Sequence, residues 1–392
     1  MLEATAEENA KMFDRKLVYL DNGATTQVDQ KAASKVLEYM TEKYGNASSL
    51  HQKGQEAKIA LEESRAIIAK SINAKPNEII FTSGGSEANN FAIKGVAYQH
   101  KKGHIITSVI EHPCVLETVK SLVNQGFTAS FIGVNSEGFV DLEQLKQEIR
   151  PDTLLVSMMH ANNEIGVIQD IEAIGRICKE KKVLFHTDAI QSYTKVPLDV
   201  KKINVDMVSL NSHKIHGPKG VGALFVKDGV KLKRFIDGGS QERKLRAGTE
   251  NIPGIVGFAE AVKIANNSHV KNMQKLRDKL IDGILKIKDT RLNGSREKRL
   301  CNNVNVSFKF VEGEAIGGYL DADGICSSTG SACSSKSLEP SYVLMALGMK
   351  EEDAHGSLRL TLSRFTTEEE IDFVLEKLPK IIEKLRRMSP FK

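Results

Sequence analysis

Short apolar runs alternate with amphipathic stretches from the start of the chain to about Phe225. The runs at 78–83, 104–110 and 153–160 have the length and composition of buried strands, and each is followed by a segment with helical periodicity. Strands that alternate with helices in this way are typical of an α/β fold with a largely parallel sheet. Ligands of such sheets bind beyond the carboxyl ends of the strands, so we expect the functional residues there.

The pattern changes after Phe225. A polar, Gly-rich loop at 237–251 precedes 252–289, which we predict to be one long helical stretch leading into a smaller domain. Further elements are predicted as amphipathic helices at 29–43 and up to about Ile72, strands at 303–308, 325–329 and 356–362, and a capped last helix that follows 366–372. The predicted division is an N-terminal segment, 1–16, that belongs to the small domain, a large domain, 17–260, and a small C-terminal domain, 261–392.

Composition excludes several classes of protein. The 55 Lys and Arg residues are interspersed with 50 Asp and Glu residues, so the net charge of +5 is weak support for a nucleic-acid partner. The N-terminus carries acids where export signals need basic and apolar residues, and no apolar run could cross a bilayer. Five cysteines without CxxC spacing argue against a disulfide scaffold or a self-contained zinc site. We therefore expect a cytoplasmic protein that binds neither nucleic acid nor membranes.

The first candidate for chemistry is Lys214. It follows His213 at the end of an apolar run and precedes Gly-rich turns around Pro218. Burial at such a position would lower the lysine pKa, and the neutral amine can form a Schiff base with an aldehyde cofactor or a carbonyl substrate. The alternative is that Lys214 and Lys219 merely solvate a turn, and only other segments can decide between the two.

Other predicted strand ends carry what pyridoxal phosphate requires. Gly84, Gly85 and Ser86 open a helix with a turn that suits an anion, although it matches neither the P-loop nor the GxGxxG fingerprint. Taken singly, each strand-end residue has a simple structural explanation, such as a helix cap. Together with Lys214 they favour the cofactor, which needs a ring-nitrogen carboxylate, a flat group over the ring, donors at the phenolic oxygen and a phosphate cup. These needs are met, in that order, by Asp188, His112, Asn163 with Gln191, and the Ser86 turn.

Two residues of the C-terminal part complete the set of candidate functional residues. Cys333 lies within 327–337, a run made almost wholly of Ser, Gly and Ala. Small residues cannot pack this segment into a core, so a nucleophilic thiol is favoured over a structural one, and Lys336 could promote its ionisation. Arg359 lies in a predicted strand and could clamp a substrate carboxylate or sit in an ion pair.

These residues occur within ordered motifs, and through them the chain resembles the NifS/IscS-type cysteine desulfurases. The resemblance spans nearly everything between residues 18 and 372. It implies a pyridoxal-phosphate enzyme of fold type I, the aspartate-aminotransferase fold, with a large domain built on a mainly parallel sheet and a smaller α+β C-terminal domain. The motifs are 19–26, 81–87, 111–113, 159–166, 186–191, 212–220, 246–249 and 330–334.

The resemblance assigns a role to each matching position. Lys214 is implied as the Schiff-base lysine, His112 as the stacking and proton-handling imidazole, and Asp188 as the partner of the ring nitrogen. Cys333 is implied as the sulfur acceptor. The remaining implied contacts are Asn163 and Gln191 at the ring oxygen, Gly85, Ser86, Asn211 and His213 at the phosphate, Thr249 at the phosphate of the second subunit, and Arg359 with Asn163 at the substrate.

Two main departures from the family pattern concern the phosphate-binding positions. Asn211 stands where a phosphate-binding serine is common, and Gly85 with Ser86 replaces the more usual Ala-Thr. An amide can still donate to phosphate, so we expect weaker or rearranged cofactor anchoring without loss of chemistry.

The implied reaction converts L-cysteine to L-alanine and leaves a persulfide on Cys333. A homodimer and sulfur transfer to an iron-sulfur scaffold protein or another acceptor are also implied, with transient contact between Cys333 and a cluster shared with the scaffold. The alternatives are a selenocysteine lyase or a related lyase or aminotransferase, and, from another class, a catalytically idle sulfur carrier or assembly scaffold.

Overall fold

The protein is represented by a computed structural model that describes residues 17–329 and 339–389. A seven-stranded sheet organises the larger part of this described chain, in the order β2-β8-β7-β6-β5-β3-β4. Its neighbours pair in parallel except for β8, which runs antiparallel to both β7 and β2. The α/β fold with a largely parallel sheet is therefore confirmed. The strands are β1 Val18–Tyr19, β2 Ile79–Thr82, β3 His104–Ser108, β4 Thr128–Ile132, β5 Thr153–Ser157, β6 Leu184–Asp188, β7 Met207–Asn211, β8 Gly222–Val226, β9 Thr290–Leu292, β10 Asn303–Phe308, β11 Ile325–Cys326 and β12 Ser357–Thr361.

Helices cover both faces of the large sheet, which explains why its strands are apolar on both sides. Ile79 and Phe81 pack into one hydrophobic core, whereas Ile80 between them packs into the other. None of the helices in the described ranges is long and apolar enough to span a membrane. They are α1 Gln30–Thr41, α2 Gln52–Ser71, α3 Gly85–Ala97, α4 Pro113–Val123, α5 Leu142–Glu148, α6 Ile171–Lys181, α7 Val200–Ile203, α8 Ile252–Ile264, α9 Asn267–Ile284, α10 Gly313–Ala322, α11 Tyr342–Ala346, α12 Glu351–His355 and α13 Glu368–Met388.

A second layer is built on the three-stranded antiparallel sheet β12-β10-β9. Its core contains residues of α9, α10 and α13, and it also includes Val18 and Leu20 from the N-terminal part of the chain. Strand β1 pairs in parallel with β11, and Asp21 continues toward Thr361 through an isolated bridge. The N-terminal strand therefore packs with the C-terminal layer. The domain boundaries after residues 16 and 260 stay a prediction.

The prediction of one long helix over 252–289 is wrong. Two helices, α8 and α9, are separated at Ala265, whose ψ of 134° is extended. Asn266 then caps the second helix, because its side chain accepts hydrogen bonds from the backbone N–H groups of Ser268 and His269. The predicted strand at 325–329 is also shorter than expected and ends at Cys326.

Candidate active site

A cavity of about 630 Å³ lies at the carboxyl ends of β2, β6 and β7. This is the edge where ligands of parallel sheets bind. Thr249 does not line the cavity and is exposed, and Cys333 lies outside the described residues. Of the predicted site residues, the cavity is lined by Gly85, Ser86, His112, Asn163, Asp188, Gln191, Asn211, His213, Lys214 and Arg359.

One end of the cavity is a turn whose backbone conformation strongly favours glycine. Gly84 has φ +157° and ψ −174°, a conformation that residues with a Cβ rarely adopt. Gly222 of β8 permits the turn to approach the sheet, since a Cβ on Gly222 would lie 2.8 Å from the Gly84 Cα. Helix α3 begins at Gly85, and the N–H groups of a helix start are suited to bind an anion in this turn.

Asn211 contributes to the same turn. Its Oδ1 accepts a hydrogen bond from the His213 N–H at 2.8 Å. Its Nδ2 lies on the side of the turn, 3.4 Å from where a Cβ of Gly85 would be. The amide donor of Asn211 therefore lies beside the glycine turn, and an amide can donate a hydrogen bond where a serine hydroxyl would.

The loop 237–251 is tied to this turn more firmly than its polar sequence predicts. Arg246 donates to both carboxylate oxygens of Glu87, at 2.8 and 3.2 Å, and Glu87 in turn accepts from the Ser83 N–H. Glu242 is buried and pairs with Arg65 at 2.8 Å. The polar composition of the loop suggests that none of it enters the core, but this expectation is wrong at Glu242, where an arginine partner makes burial of the carboxylate tolerable.

Asp188 ends β6 within the cavity wall. Its Oδ2 accepts a hydrogen bond of 2.7 Å from Asn89 Nδ2, and its Oδ1 accepts from the Ile190 N–H at 2.9 Å. These two bonds fix the orientation of the carboxylate on the cavity wall. Sequence reasoning missed Asn89, although a signal was available. Asn89 is the fully buried polar residue on the otherwise apolar inner face of α3.

Lys214 follows β7 on the cavity wall. Its backbone carbonyl accepts from the Nζ of Lys195, which also donates to the Gln191 carbonyl, at 3.1 and 3.0 Å respectively. Burial lowers the pKa of Lys195 to about 8. This second lysine, which sequence reasoning did not single out, fixes the backbone on either side of the cavity.

The N-terminal segment supports the same wall. Thr26 accepts a hydrogen bond from the His216 N–H and donates from its hydroxyl to the His213 carbonyl at 2.8 Å. The His213 ring lies 3.1 Å from the Thr25 hydroxyl. Burial, followed by the nearby lysines, lowers the pKa of His213 to about 4, so its ring is neutral at pH 7.

Arg359 enters the cavity from β12. Its Nη1 donates to the Asn163 carbonyl at 3.0 Å and its Nη2 to Asp21 at 2.9 Å. The arginine thus sits in an ion pair, as one sequence hypothesis held, yet its Nε is buried with no partner among the described residues. The Asn163 Oδ1 is likewise buried with no partner there. An unpaired donor and an unpaired acceptor in one cavity indicate a polar ligand.

Two buried glutamates anchor the chain that follows residues 330–338. The Glu111 carbonyl accepts a hydrogen bond of 2.6 Å from the Tyr342 hydroxyl, and the Glu164 carboxylate accepts one from Ser341. Burial raises the pKa of Glu111 to about 8 and that of Glu164 to about 7. Tyr342 itself lines the cavity, so the chain around residues 341–342 is held at the site.

Pyridoxal phosphate fits these residues. The glycine turn and helix start form a cup for its phosphate, Asp188 can pair with its ring nitrogen, and Lys214 offers the amine. The unpaired Asn163 Oδ1 adds a polar atom that a ligand can satisfy. The donor set is therefore the one that this cofactor requires.

Comparison with known proteins decides the family. Residues 18–374 match the class-V aminotransferase family. The chain is 51% identical to cysteine desulfurase IscS of Methanosarcina thermophila over 382 residues, which cover 96% of this chain and 95% of the relative. The chain belongs to the cysteine desulfurase family of class-V aminotransferases. The cysteine desulfurases are pyridoxal-phosphate enzymes of fold type I, and this membership confirms the resemblance, the fold class and the cofactor.

Further relatives and solved structures support the same family. Cysteine desulfurase IscS of Neisseria meningitidis serogroup A is 50% identical over 95% of this chain and 94% of its own. Among solved structures, a NifS-like protein superimposes with a TM-score of 0.89 at 40% identity, over 94% of this chain and 100% of that one. A structure titled SspA in complex with cysteine has a TM-score of 0.81 at 36% identity, with coverage of 89% and 100%.

Proposed function

We propose that this cysteine desulfurase removes sulfur from L-cysteine, releases L-alanine and holds the sulfur as a persulfide on Cys333. The observation that carries the proposal is one cavity in which Lys214 and Asp188 lie together with Arg359. The first two residues suit the cofactor and the third suits an amino-acid carboxylate. A related protein is titled as a complex with cysteine, which supports the choice of substrate.

Arg359 and Asn163 form the substrate-binding side. The guanidinium is fixed by Asp21 and the Asn163 carbonyl, so it is oriented before a ligand arrives. Its unpaired Nε can donate to the substrate carboxylate, and a hydrogen bond to a charged group contributes about 1.5–3 kcal/mol. This prior fixation reduces the entropy lost on binding.

The proton and charge roles belong to three residues. When bound, pyridoxal phosphate withdraws electrons from the substrate Cα and so makes the Cα proton removable. Asp188, held by Asn89, keeps a proton at the ring-nitrogen position. Lys214 and His112 both line the cavity. The proposed roles of the Lys214 amine are the covalent link to the cofactor and acceptance of the Cα proton.

The sulfur step needs a thiol that reaches the cavity. Ser328 forms a backbone bridge with Arg359, and Tyr342 lines the cavity, so the chain enters and leaves the 330–338 segment at the site. Cys333 is four positions after Thr329 and can lie up to about 14 Å from it by chain length alone. The Cys333 thiolate attacks the substrate sulfur and forms the S–S bond of the persulfide. The Cβ–S bond breaks, and its electron pair stays with the carbon fragment, which takes up protons to become alanine.

One experiment tests the reaction as a whole. Purified protein should show visible imine absorbance that changes on addition of L-cysteine, with alanine and protein-bound sulfur formed in equal amounts before any reductant is added. A selenocysteine lyase would release alanine efficiently from selenocysteine and only poorly from cysteine. Absence of both the absorbance and alanine would instead support the idle sulfur carrier or scaffold.

The proposed acceptor of the sulfur is an iron-sulfur scaffold protein, or a component of another thio-cofactor pathway. The proposed location is the cytoplasm. Relatives at about half identity carry the name IscS, which supports the first of these acceptors. The proposal includes transient contact between Cys333 and a cluster on the scaffold. Within the described residues, no group of His, Cys, Asp or Glu could hold a metal by itself, so any cluster would need ligands from the scaffold or from outside those residues.

The proposed assembly is a homodimer. Leu37, Met40, Leu50 and Ile59 are more than half exposed along one stretch of the chain, and large exposed apolar side chains mark protein interfaces. Thr249 is exposed outside the cavity of its own chain, as expected if it contacts the cofactor of a second subunit. Sedimentation should give twice the chain mass of 43.2 kDa. Leu37→Glu should shift that mass toward the monomer, whereas Met388→Glu at the end of α13 should not.

A further inference from the structure

The His112 ring meets the start of helix α4 through its Nδ1 atom. Nδ1 accepts a hydrogen bond from the backbone N–H of Cys114 at 3.2 Å, which makes His112 the cap of this helix. The Cys114 Sγ lies 3.0 Å from the same nitrogen. Two groups of one residue therefore converge on one ring atom.

The direction of the sulfur contact follows from the backbone contact. A nitrogen that accepts from a backbone N–H presents its lone pair and carries no proton of its own. The thiol must then be the donor, and burial supports this because it raises the pKa of Cys114 to about 12 and keeps the thiol protonated. Asn89 Nδ2 donates to the sulfur at 3.2 Å, so the sulfur accepts one hydrogen bond and donates another.

We propose that Cys114 is a positioning residue that holds His112 in the neutral tautomer with its proton on Nε2. This inference rests on the place of His112 in the proposed site. The helix N–H and the thiol occupy Nδ1, which leaves Nε2–H as the group available to the cavity.

The tautomer determines which of His112 and Lys214 can accept a proton in the cavity. A neutral imidazole with Nε2 protonated can donate a hydrogen bond into the cavity but cannot take a proton there. Removal of the substrate Cα proton is then left to Lys214. Of the two residues that line the cavity and could accept a proton, the inferred tautomer therefore assigns this step to Lys214.

The same contacts join His112 to the Asp188 carboxylate. Asn89 uses its one amide nitrogen to donate to both Asp188 and the Cys114 sulfur, at 2.7 and 3.2 Å. The order of contacts is Asp188, Asn89, Cys114 and His112. The two residues that flank the predicted cofactor ring are therefore oriented through one buried amide.

The first test reads the tautomer directly in the cofactor-free protein. Long-range ¹H–¹⁵N NMR of protein labelled at histidine distinguishes a protonated from an unprotonated ring nitrogen, and His112→Gln identifies the His112 signals. We expect Nδ1 to be unprotonated and Nε2 protonated at pH 7. A proton on Nδ1 would overturn the proposal, and this result does not depend on catalytic activity.

The second test removes the thiol. Cys114→Ala deletes a donor that stabilises the neutral ring, so the His112 pKa should rise by about 0.4–1.1 units, as expected for one hydrogen bond. Cys114→Ser restores a donor and should return the pKa toward its original value. Cys178→Ala, which removes a buried thiol on α6, is the matched control and should leave His112 unchanged.

Charged groups around the His112 ring also influence its pKa. Burial lowers the pKa of His112, Asp188 opposes this shift and Lys214 adds to it, while Glu111 is the adjacent residue in the chain. The Ala and Ser variants share these neighbours, so their difference reports the donor alone. An unchanged pKa in Cys114→Ala, or a Ser variant that titrates like the Ala variant, would contradict the assignment.

Discussion

Replacing Lys214 with alanine should abolish imine absorbance and reduce alanine release from L-cysteine by at least about 10²–10⁴-fold, the range for loss of a general acid or base. The reduction is expected to be this large because the same amine forms the covalent link and accepts the Cα proton. Absorbance spectra and alanine assays of the purified variant measure the two effects separately. Added cofactor should still bind through its phosphate, since the glycine turn and Asn211 are unchanged.

Lys227→Ala is the matched control for this variant. Lys227 is about half exposed and pairs with Asp206 at 3.3 Å, a surface ion pair that contributes little to stability.

A second measurement identifies the lysine directly. Borohydride reduction of the protein that retains Lys214, followed by peptide mapping, should place the trapped cofactor on Lys214. Capture on Lys219 or Lys195, with wild-type alanine release in Lys214→Ala, would show that another lysine is the nucleophile.

Local sequence patterns predicted the residues of the site because the fold is regular there. Asp188, Asn211 and Lys214 lie at or just beyond the carboxyl ends of parallel strands, and such ends meet at one edge of a sheet. Knowing the strand positions was therefore enough to predict that these side chains converge. The roles of the individual residues came from the family resemblance and remain predictions.

The supporting residues were not predictable in the same way. Asn89, Lys195 and Arg246 act through neighbours that are distant in sequence, and no local spacing reveals such contacts.

The break between α8 and α9 was missed for a different reason. The helical periodicity continues across Ala265, and only the cap at Asn266 marks the boundary.

The cysteines of the described chain strengthen the prediction for Cys333. Cys114, Cys178, Cys301 and Cys326 are free thiols, and burial raises the pKa of each of them, to about 12 for the first two. The thiolate is the form that attacks sulfur, so at pH 7 these four are poor nucleophiles. Cys114 lines the cavity but is still unsuited to the sulfur step.

Cys333→Ser should therefore eliminate the cysteine-dependent addition of one sulfur atom to the protein and lower alanine release by about 10²-fold or more, since a hydroxyl is a far weaker nucleophile. Imine absorbance should still respond to L-cysteine, because Lys214, Asp188 and Arg359 are intact. Mass spectrometry of the intact protein and its peptides measures the adduct. Cys326→Ser, which removes a thiol seven positions earlier, should keep both adduct and rate. A sulfur adduct on Cys114 or Cys326 during full turnover of Cys333→Ser would show that the sulfur is accepted elsewhere.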